Sequence, residues 1–208
     1  MRSILQGCLI AVLLLAAGPI RAQTIIEEWN SVKAPPPPAL KDVTIDPKKT
    51  ALLVLDFRKD ACSKERRPRC AEALPQVVKL LTMARAKGMM IIHTTTTSST
   101  PDDIPTELKP AAGEQLFKSS MDKLAGTDIP EQFKVKGIDT VIISGTSANG
   151  AVLATAGGTA FRGFKVVVPV DTMPAEGAYQ EQLTVFQIAN APTLREMSTL
   201  TKVDMLHF

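Results

Sequence analysis

The sequence is poor in aromatic residues, in cysteine and in histidine. Phenylalanine, tryptophan and tyrosine make up 4% of the 208 residues, whereas hydrophobic residues as a whole make up 45%. The core must therefore be mostly aliphatic, in a chain that is too apolar to be disordered. Two of the three cysteines, Cys62 and Cys70, lie close together but have no histidine nearby, which leaves too few ligands for a zinc site.

The sequence also has no large excess of positive or negative charge. The formal net charge of +3 falls to +1 if residues 1–22, which contain Arg2 and Arg21, are removed. A nearly neutral domain has no electrostatic reason to bind nucleic acid or an acidic membrane. The basic cluster at residues 64–69 is short and contains no aromatic residue, so we interpret it as a solvated loop. We therefore expect no nucleic-acid partner.

The N-terminal residues predict that the protein is exported from the cytoplasm. Arg2 precedes an apolar run from Ile4 to Ala17 and a short polar exit, a pattern typical of a signal peptide that ends at Ala22. The run is shorter than the roughly 20 residues of a membrane span, so we expect no membrane association after cleavage. An uncleaved anchor is the alternative. The mature protein would be secreted or periplasmic.

The cysteine count agrees with this prediction. Cys8 would leave with the signal peptide, and Cys62 and Cys70 would remain as a pair. In an oxidising compartment such a pair favours a disulfide, with two free thiols as the alternative. Three segments are then expected: the signal peptide at 1–22, a proline-rich extension at 23–48 and one domain at 49–208.

Strand and helix patterns alternate within that domain. Apolar runs of the kind buried on both faces of a parallel sheet are followed by segments with helical spacing. This alternation predicts an α/β fold of three layers, α/β/α, around a mostly parallel, Rossmann-like sheet of about six strands. The strands are expected at 50–55, 89–92, 140–144 and 164–168 and within 194–203, and the helices at 71–87, 149–162 and 176–190.

The carboxyl ends of parallel strands are where such sheets bind ligands. Asp56, His93 and Asp171 and the segment 145–151 lie at these places. Asp56 follows a wholly apolar strand, where partial removal from water suits proton transfer. A carboxylate that caps the next turn is the alternative. Lys118, taken alone, is most simply a surface charge.

Small residues fill the segment from Gly145 to Ala156, which follows a buried strand and opens a helix. Backbone N–H groups at such a helix start hold an anion or an oxyanion, although tight helix–sheet packing also requires small residues. The segment lacks the Gly-Lys-Ser/Thr ending of a P-loop and the glycine spacing of a dinucleotide site.

Taken together, these segments resemble the isochorismatase-like hydrolases, which include nicotinamidases, carbamoylsarcosine amidases and isochorismatases. The resemblance covers residues 48 to 205 approximately. It rests on Asp56 at a strand end, on Lys118 before Gly126-Thr127-Asp128, and on the segment 145–156 followed by Asp171.

The chain departs from the amidase members at the nucleophile. Those members carry a cysteine six residues after the glycine, and the corresponding residue here is Ala151. A methyl group cannot attack a carbonyl carbon, so thiolate catalysis is not available. Isochorismatases proper carry glycine at this place and cleave a vinyl ether by proton donation and attack of water. The resemblance thus implies hydrolysis without a covalent intermediate.

Roles follow from the resemblance. Asp56 would be the acid, and Lys118 would hold the charge of the substrate or of Asp56. The backbone amides of Ser147 and Ala151 would form an oxyanion hole, with a cis peptide between Thr146 and Ser147. The further residues assigned to substrate binding are Phe57, His93, Asn149 and Gly150.

The predicted function is therefore hydrolysis of a small molecule by acid–base catalysis through Asp56, on a vinyl ether or a related C–O or C–N bond. A catalytically silent protein that binds a small ligand is the alternative. No cofactor is expected, and no metal, because residues 94–106 contain no histidine like those of nicotinamidase metal sites. A dimer or tetramer is expected by analogy with the family.

Overall fold

A computed structural model describes residues 24–208. The predicted signal peptide, with Cys8, lies outside the described residues. Two units can be distinguished in the chain, with the division between Pro36 and Pro37. The described part of the first unit contains one short helix, α1 (Ile25–Glu28). The second unit runs to Phe208, so the segment predicted as a proline-rich extension is divided between the two units.

The second unit alternates strands and helices in the predicted manner. Its elements are β1 (Val43–Thr44), β2 (Thr50–Leu55), α2 (Pro68–Ala86), β3 (Met90–Thr95), β4 (Gln115–Lys118), α3 (Ile129–Lys136), β5 (Thr140–Gly145), α4 (Leu153–Phe161), β6 (Lys165–Pro169), α5 (Ala178–Asn190), α6 (Leu194–Met197), β7 (Ser198–Thr201) and β8 (Leu206–His207). A π-helical turn, Ala148–Val152, leads into α4, and short 3-10 turns occupy 101–103, 106–108, 170–172 and 203–205.

The main sheet has six strands in the order β4-β3-β2-β5-β6-β7, and every pairing is parallel. The predicted parallel α/β fold is thereby confirmed. A small second sheet, which the sequence did not predict, pairs β1 with β8 through Val43 and Leu206.

Strand β2 explains why the sheet is covered on both faces. All six of its residues are buried, which requires helices on either side. Leu53 and Leu55 pack into one apolar cluster with residues of α3, α4, α5 and α6. Leu52 and Val54 point to the other face and pack with α2. The strand is thus held at the centre of the three layers, and the residue that follows it emerges at the middle of the carboxyl edge.

The loop between β2 and α2 is closed by a disulfide. Cys62 and Cys70 are bonded, with their Cα atoms 4.8 Å apart, which confirms the predicted pair. Pro68 occupies the first turn of α2, where a missing N–H leaves no hydrogen bond unmade. Among residues 24–208, none of the helices is both long and apolar enough to span a membrane.

Candidate active site

Asp56 lies at the carboxyl end of β2, between the ends of its two neighbours, β3 and β5. Leu55, the last residue of β2, is in register with Thr94 of β3 and Gly145 of β5. Asp56 then turns away with φ +55°, a left-handed conformation that aspartate tolerates better than most residues. Its N–H donates to the Thr94 carbonyl at 3.1 Å. The residues that follow these strands are therefore brought together around Asp56.

Each carboxylate oxygen of Asp56 has a polar partner, one through an ion pair and the other through a hydrogen bond. Lys123 Nζ lies 2.6 Å from Oδ2, and Thr94 Oγ1 donates to Oδ1 at 2.9 Å. The Asp56 and Lys123 side chains are only 10% and 2% exposed, respectively. Each charge thus has its compensating partner in a place with little water, as a buried ion requires.

The ammonium group beside Asp56 was predicted at the wrong lysine. Lys118 is the last residue of β4, the outermost strand, and its side chain is exposed to solvent. The chain turns back after β4, and the lysine that reaches Asp56 is Lys123, whose Nζ also contacts the Ser119 carbonyl at 3.3 Å. Lys118 ends an edge strand with its side chain in water, so the ion pair with Asp56 is formed by Lys123 instead.

Helix α4 holds the loop that carries Lys123. The Lys123 N–H donates to Thr155 Oγ1 at 3.2 Å. Asp122 accepts from the Leu124 N–H at 3.0 Å and from Arg162 at 3.2 Å. The Asp122 carboxylate occupies the space that a Cβ on Gly158 would fill. Glycine at 158 therefore lets the loop dock against the same helix that follows Ala151.

The segment after β5 begins with a close approach of two backbones. A Cβ on Gly145 would collide with Leu55 Cβ and lie 2.9 Å from the Leu55 carbonyl oxygen, so only glycine fits. The Thr146 N–H donates to that same carbonyl at 3.0 Å. The peptide between Thr146 and Ser147 is cis, as the resemblance implied.

Residues 148–152 then form the π-helical turn, and Ser147 precedes it. The Ser147 carbonyl accepts from the N–H groups of Gly150 and Val152, at 3.0 and 3.3 Å. Within residues 24–208, no acceptor is bonded to the Ser147 N–H. Asn149 is exposed, whereas Ala151 is 7% exposed and packs in the apolar cluster of Leu55. Position 151 thus presents a methyl group and a backbone amide, with no nucleophilic atom.

Two residues assigned to substrate binding lie in the core instead. His93 is 1% exposed, because β3 continues through Thr94 and Thr95 beyond the predicted strand end. Its Nε2 lies 2.7 Å from Glu114. Phe57 is 2% exposed and packs with the disulfide and α2 on the other face of the sheet. Asp171, by contrast, ties the end of the chain to the sheet by accepting from the Val203 N–H at 3.1 Å.

The buried pair of His93 and Glu114 makes stability depend on pH. Burial lowers the pKa of His93, against the opposing effect of Glu114. Burial alone would raise the pKa of Glu114, but hydrogen bonds from Arg85, the Ala111 N–H and His93 outweigh it and lower the pKa from 4.5 to about 2. Both pKa values are depressed in the folded state, so the unfolded chain binds more protons as the pH falls.

We therefore expect the free energy of unfolding to fall as the pH drops below the pKa of an ordinary histidine. It should fall further as Glu114 is protonated, towards about pH 2. Urea unfolding at about pH 7, 5 and 3 should lose on the order of 1–2 kcal/mol more in the wild type than in Glu114→Gln. Asp102→Asn removes an exposed carboxylate and serves as the control. Parallel pH profiles for the wild type and Glu114→Gln would contradict this assignment.

Arg67 is a residue whose role the sequence did not indicate. It precedes α2 and lies inside the basic cluster that was interpreted as solvated. Its Nη1 donates to Thr146 Oγ1 at 2.7 Å, and its Nε donates to Glu176 Oε2 at 3.0 Å. A guanidinium group therefore lies next to the segment that carries Ser147 and Ala151.

A cavity of about 740 Å³ opens at the opposite edge of the sheet. It is lined by residues at the start of β3, such as Met90, and by Arg85, Glu114 and Lys136. It therefore does not include Asp56 or Lys123. Among residues 24–208, no group of three or more histidine, cysteine, aspartate or glutamate side chains is arranged to hold a metal ion.

Comparison with known proteins identifies the domain that contains these residues. The isochorismatase domain model matches residues 50–198, a span that includes Asp56, Lys123 and Ala151. No relative was found among curated proteins.

Solved structures share the fold. A cysteine hydrolase from Pseudomonas syringae pv. phaseolicola 1448A is 19% identical, with a TM-score of 0.68 over 80% of this chain and 94% of the other. N-carbamoylsarcosine amidase from Thermoplasma acidophilum is 19% identical, with a TM-score of 0.65 over 75% and 97%. The nicotinamidase from Staphylococcus aureus is 16% identical, with a TM-score of 0.65 over 74% and 99%.

Proposed function

Because the chain belongs to the isochorismatase family, we propose that it hydrolyses a small molecule without a covalent cysteine intermediate, with carboxylated vinyl ethers such as isochorismate as the substrate class. The observation that carries the proposal is the pair of Asp56 and Lys123, buried beside a segment that has Ala151 where a thiol would stand. A protein that had lost catalytic activity would not need this buried ion pair, because removing two charges from water costs free energy.

Asp56 moves the proton in this proposal. In its protonated form it gives a proton to the methylene carbon of the vinyl ether, and water adds to the carbon that bears the ether oxygen. The water returns a proton to Asp56, and the resulting hemiketal releases the alcohol and leaves pyruvate. Lys123 and Thr94 support the carboxylate that remains after donation, since Lys123 forms an ion pair with Oδ2 and Thr94 donates a hydrogen bond to Oδ1.

The turn after β5 would bind the substrate. The N–H of Ser147 has no acceptor within the described chain, and with the amide of Ala151 it would hold the hemiketal hydroxyl oxygen, which gains negative charge as it gives up its proton and the alcohol leaves. Gly150 has φ −114° and ψ −105° inside this turn, and a Cβ there would lie 2.9 Å from Ser147 Oγ. Gly150 therefore keeps the turn in shape, and exposed Asn149 would line the rim.

The test is pyruvate release from isochorismate, followed with lactate dehydrogenase and NADH. We expect wild-type turnover and a loss of at least about 100-fold in Asp56→Asn, which removes the proton carrier and keeps the shape of the side chain. Circular dichroism of the variant should match the wild type. Unchanged turnover in Asp56→Asn would exclude Asp56 as the proton carrier, and no wild-type turnover would exclude the vinyl ether as substrate.

Silent ligand binding is the second candidate, and the methyl group of Ala151 favours it. Ala151→Cys distinguishes the two candidates, because a restored thiol in an intact site would hydrolyse an amide such as nicotinamide. Amide hydrolysis by Ala151→Cys together with no turnover by the wild type would favour a site that lost only its nucleophile.

Secretion or a periplasmic location is supported by the disulfide, and a homo-oligomer remains a proposal by analogy.

A further inference from the structure

Arg67 has hydrogen-bonding capacity that the fold does not use. Of its guanidinium nitrogens, Nη1 donates to Thr146 and Nε to Glu176, and within residues 24–208 no acceptor is bonded to Nη2. The Arg67 side chain is 19% exposed, so this free edge is partly shielded from water without being closed off. A fork of N–H groups in such a place matches the two oxygens of a carboxylate.

The neighbouring arginines are committed to other partners. Arg66 pairs with Asp60 on the outside of the loop, at 3.0 Å. Arg69 donates through both Nε and Nη2 to the two oxygens of Glu181. Only Arg67 in this cluster is directed at the segment after β5, where it reaches Thr146.

The carboxylate that now occupies Arg67 is weakly held. Glu176 is 65% exposed, and an ion pair with so exposed a partner contributes little to stability. Lys123, the other cation of the site, is committed to Asp56 and is 2% exposed. An anionic ligand that enters beside Ser147 therefore meets the Arg67 guanidinium, whose Nη2 is free within residues 24–208, and has to displace only an exposed glutamate to reach it.

We propose that Arg67 is the carboxylate-recognising residue of this site and that Glu176 occupies it in the absence of ligand. The inference rests on the proposed function insofar as it assigns the substrate class, small organic carboxylates, to the same site. The disulfide between Cys62 and Cys70 closes the loop that carries Arg67, which limits how far the guanidinium can move.

Isothermal titration with benzoate and with benzamide, at fixed ionic strength, tests the proposal. The two probes share their shape and differ in charge, and neither needs turnover. We expect the wild type to prefer benzoate. Arg67→Gln should weaken benzoate binding about 10-fold or more and leave benzamide unchanged. Glu176→Gln should tighten benzoate binding about 2–5-fold, because it removes the competing carboxylate.

The opposite changes in benzoate affinity expected for Arg67→Gln and Glu176→Gln distinguish ligand recognition from a purely structural role. Arg67→Gln and Glu176→Gln break the same ion pair, so a pair that only fastens the loop would change binding in one direction in both variants. Arg66→Gln removes an equal charge from the same loop and should stay within about 2-fold of the wild type. Arg67→Lys keeps the charge without the fork and should bind benzoate with intermediate affinity.

Three results would overturn the proposal: no preference of the wild type for benzoate, equal affinities in Arg67→Gln and the wild type, or weaker binding in both Arg67→Gln and Glu176→Gln. Thermal melts of each variant guard against misfolding, and Glu176→Gln, an exposed change, keeps the test decisive if Arg67→Gln does not fold. Failure of the proposed hydrolysis would appear as missing pyruvate release and would leave these binding results standing.

Discussion

Replacing Lys123 with methionine will abolish turnover and lower the free energy of unfolding by about 3–5 kcal/mol. Methionine fills most of the space of the lysine stem, so the effect comes from the lost charge. Asp56 would keep its carboxylate 10% exposed, with only Thr94 as a polar side-chain partner. Removal of one partner of a buried ion pair leaves the other charge uncompensated, which is costlier than loss of the attraction itself.

Lys118→Met is the matched control. Lys118 lies five residues before Lys123 in the same connection but is exposed, so its replacement should change the unfolding free energy by less than about 0.5 kcal/mol. Urea unfolding followed by circular dichroism measures both variants. The double variant Asp56→Asn/Lys123→Met should recover part of the lost stability. Equal effects at positions 118 and 123 would show that the ion pair is not the source.

Replacing Gly145 with alanine is expected to cost about 3 kcal/mol. The new Cβ would collide with Leu55 Cβ, and both atoms belong to the two central strands rather than to flexible side-chain ends. Relief requires β2 and β5 to separate at the edge where Asp56 and Thr146 emerge. The variant should therefore lose carboxylate binding as well as stability, as seen by thermal melting and by benzoate titration.

Gly157→Ala provides the comparison within the next helix. A Cβ at this position would lie 3.6 Å from the nearest side-chain atom, Phe161 Cε2, which is an ordinary contact. Alanine is favoured over glycine inside helices by up to about 1 kcal/mol, so this variant should melt at the same temperature as the wild type or higher. A harmless Gly145→Ala would mean that the two central strands can part without disturbing the site.

The sequence predicts the framework of this fold because buried parallel strands are continuous apolar runs. Thr50–Leu55 and Thr140–Gly145 emerge where their composition placed them, and Asp56 follows at the carboxyl edge. His93 was misplaced since Thr94 and Thr95 extend β3, and threonine occurs in strands and loops alike. The boundary of an element, rather than its existence, decided whether this residue belonged to the site.

The two residues that sequence reasoning missed depend on contacts between distant segments. Lys118 and Lys123 both precede Gly126, so their sequence positions do not tell them apart. The fold does, because β4 places Lys118 at the exposed edge of the sheet whereas Lys123 is buried. Arg67 contacts Thr146, 79 positions away in the chain. The one local signal against Lys118 is that β4 begins and ends with polar residues, and both of these, Gln115 and Lys118, are exposed.

The disulfide also governs how the protein should be handled at the bench. Enzymes with a catalytic thiol are purified in dithiothreitol because the thiolate oxidises readily. Here position 151 has no thiol to protect, and the reagent would instead open the bond that closes the loop of Arg67. Buffers chosen by habit for cysteine hydrolases would then loosen the ligand contact being measured. The Ala151→Cys variant should therefore be purified without dithiothreitol and with oxygen excluded, so that the disulfide stays closed and the new thiol stays reduced.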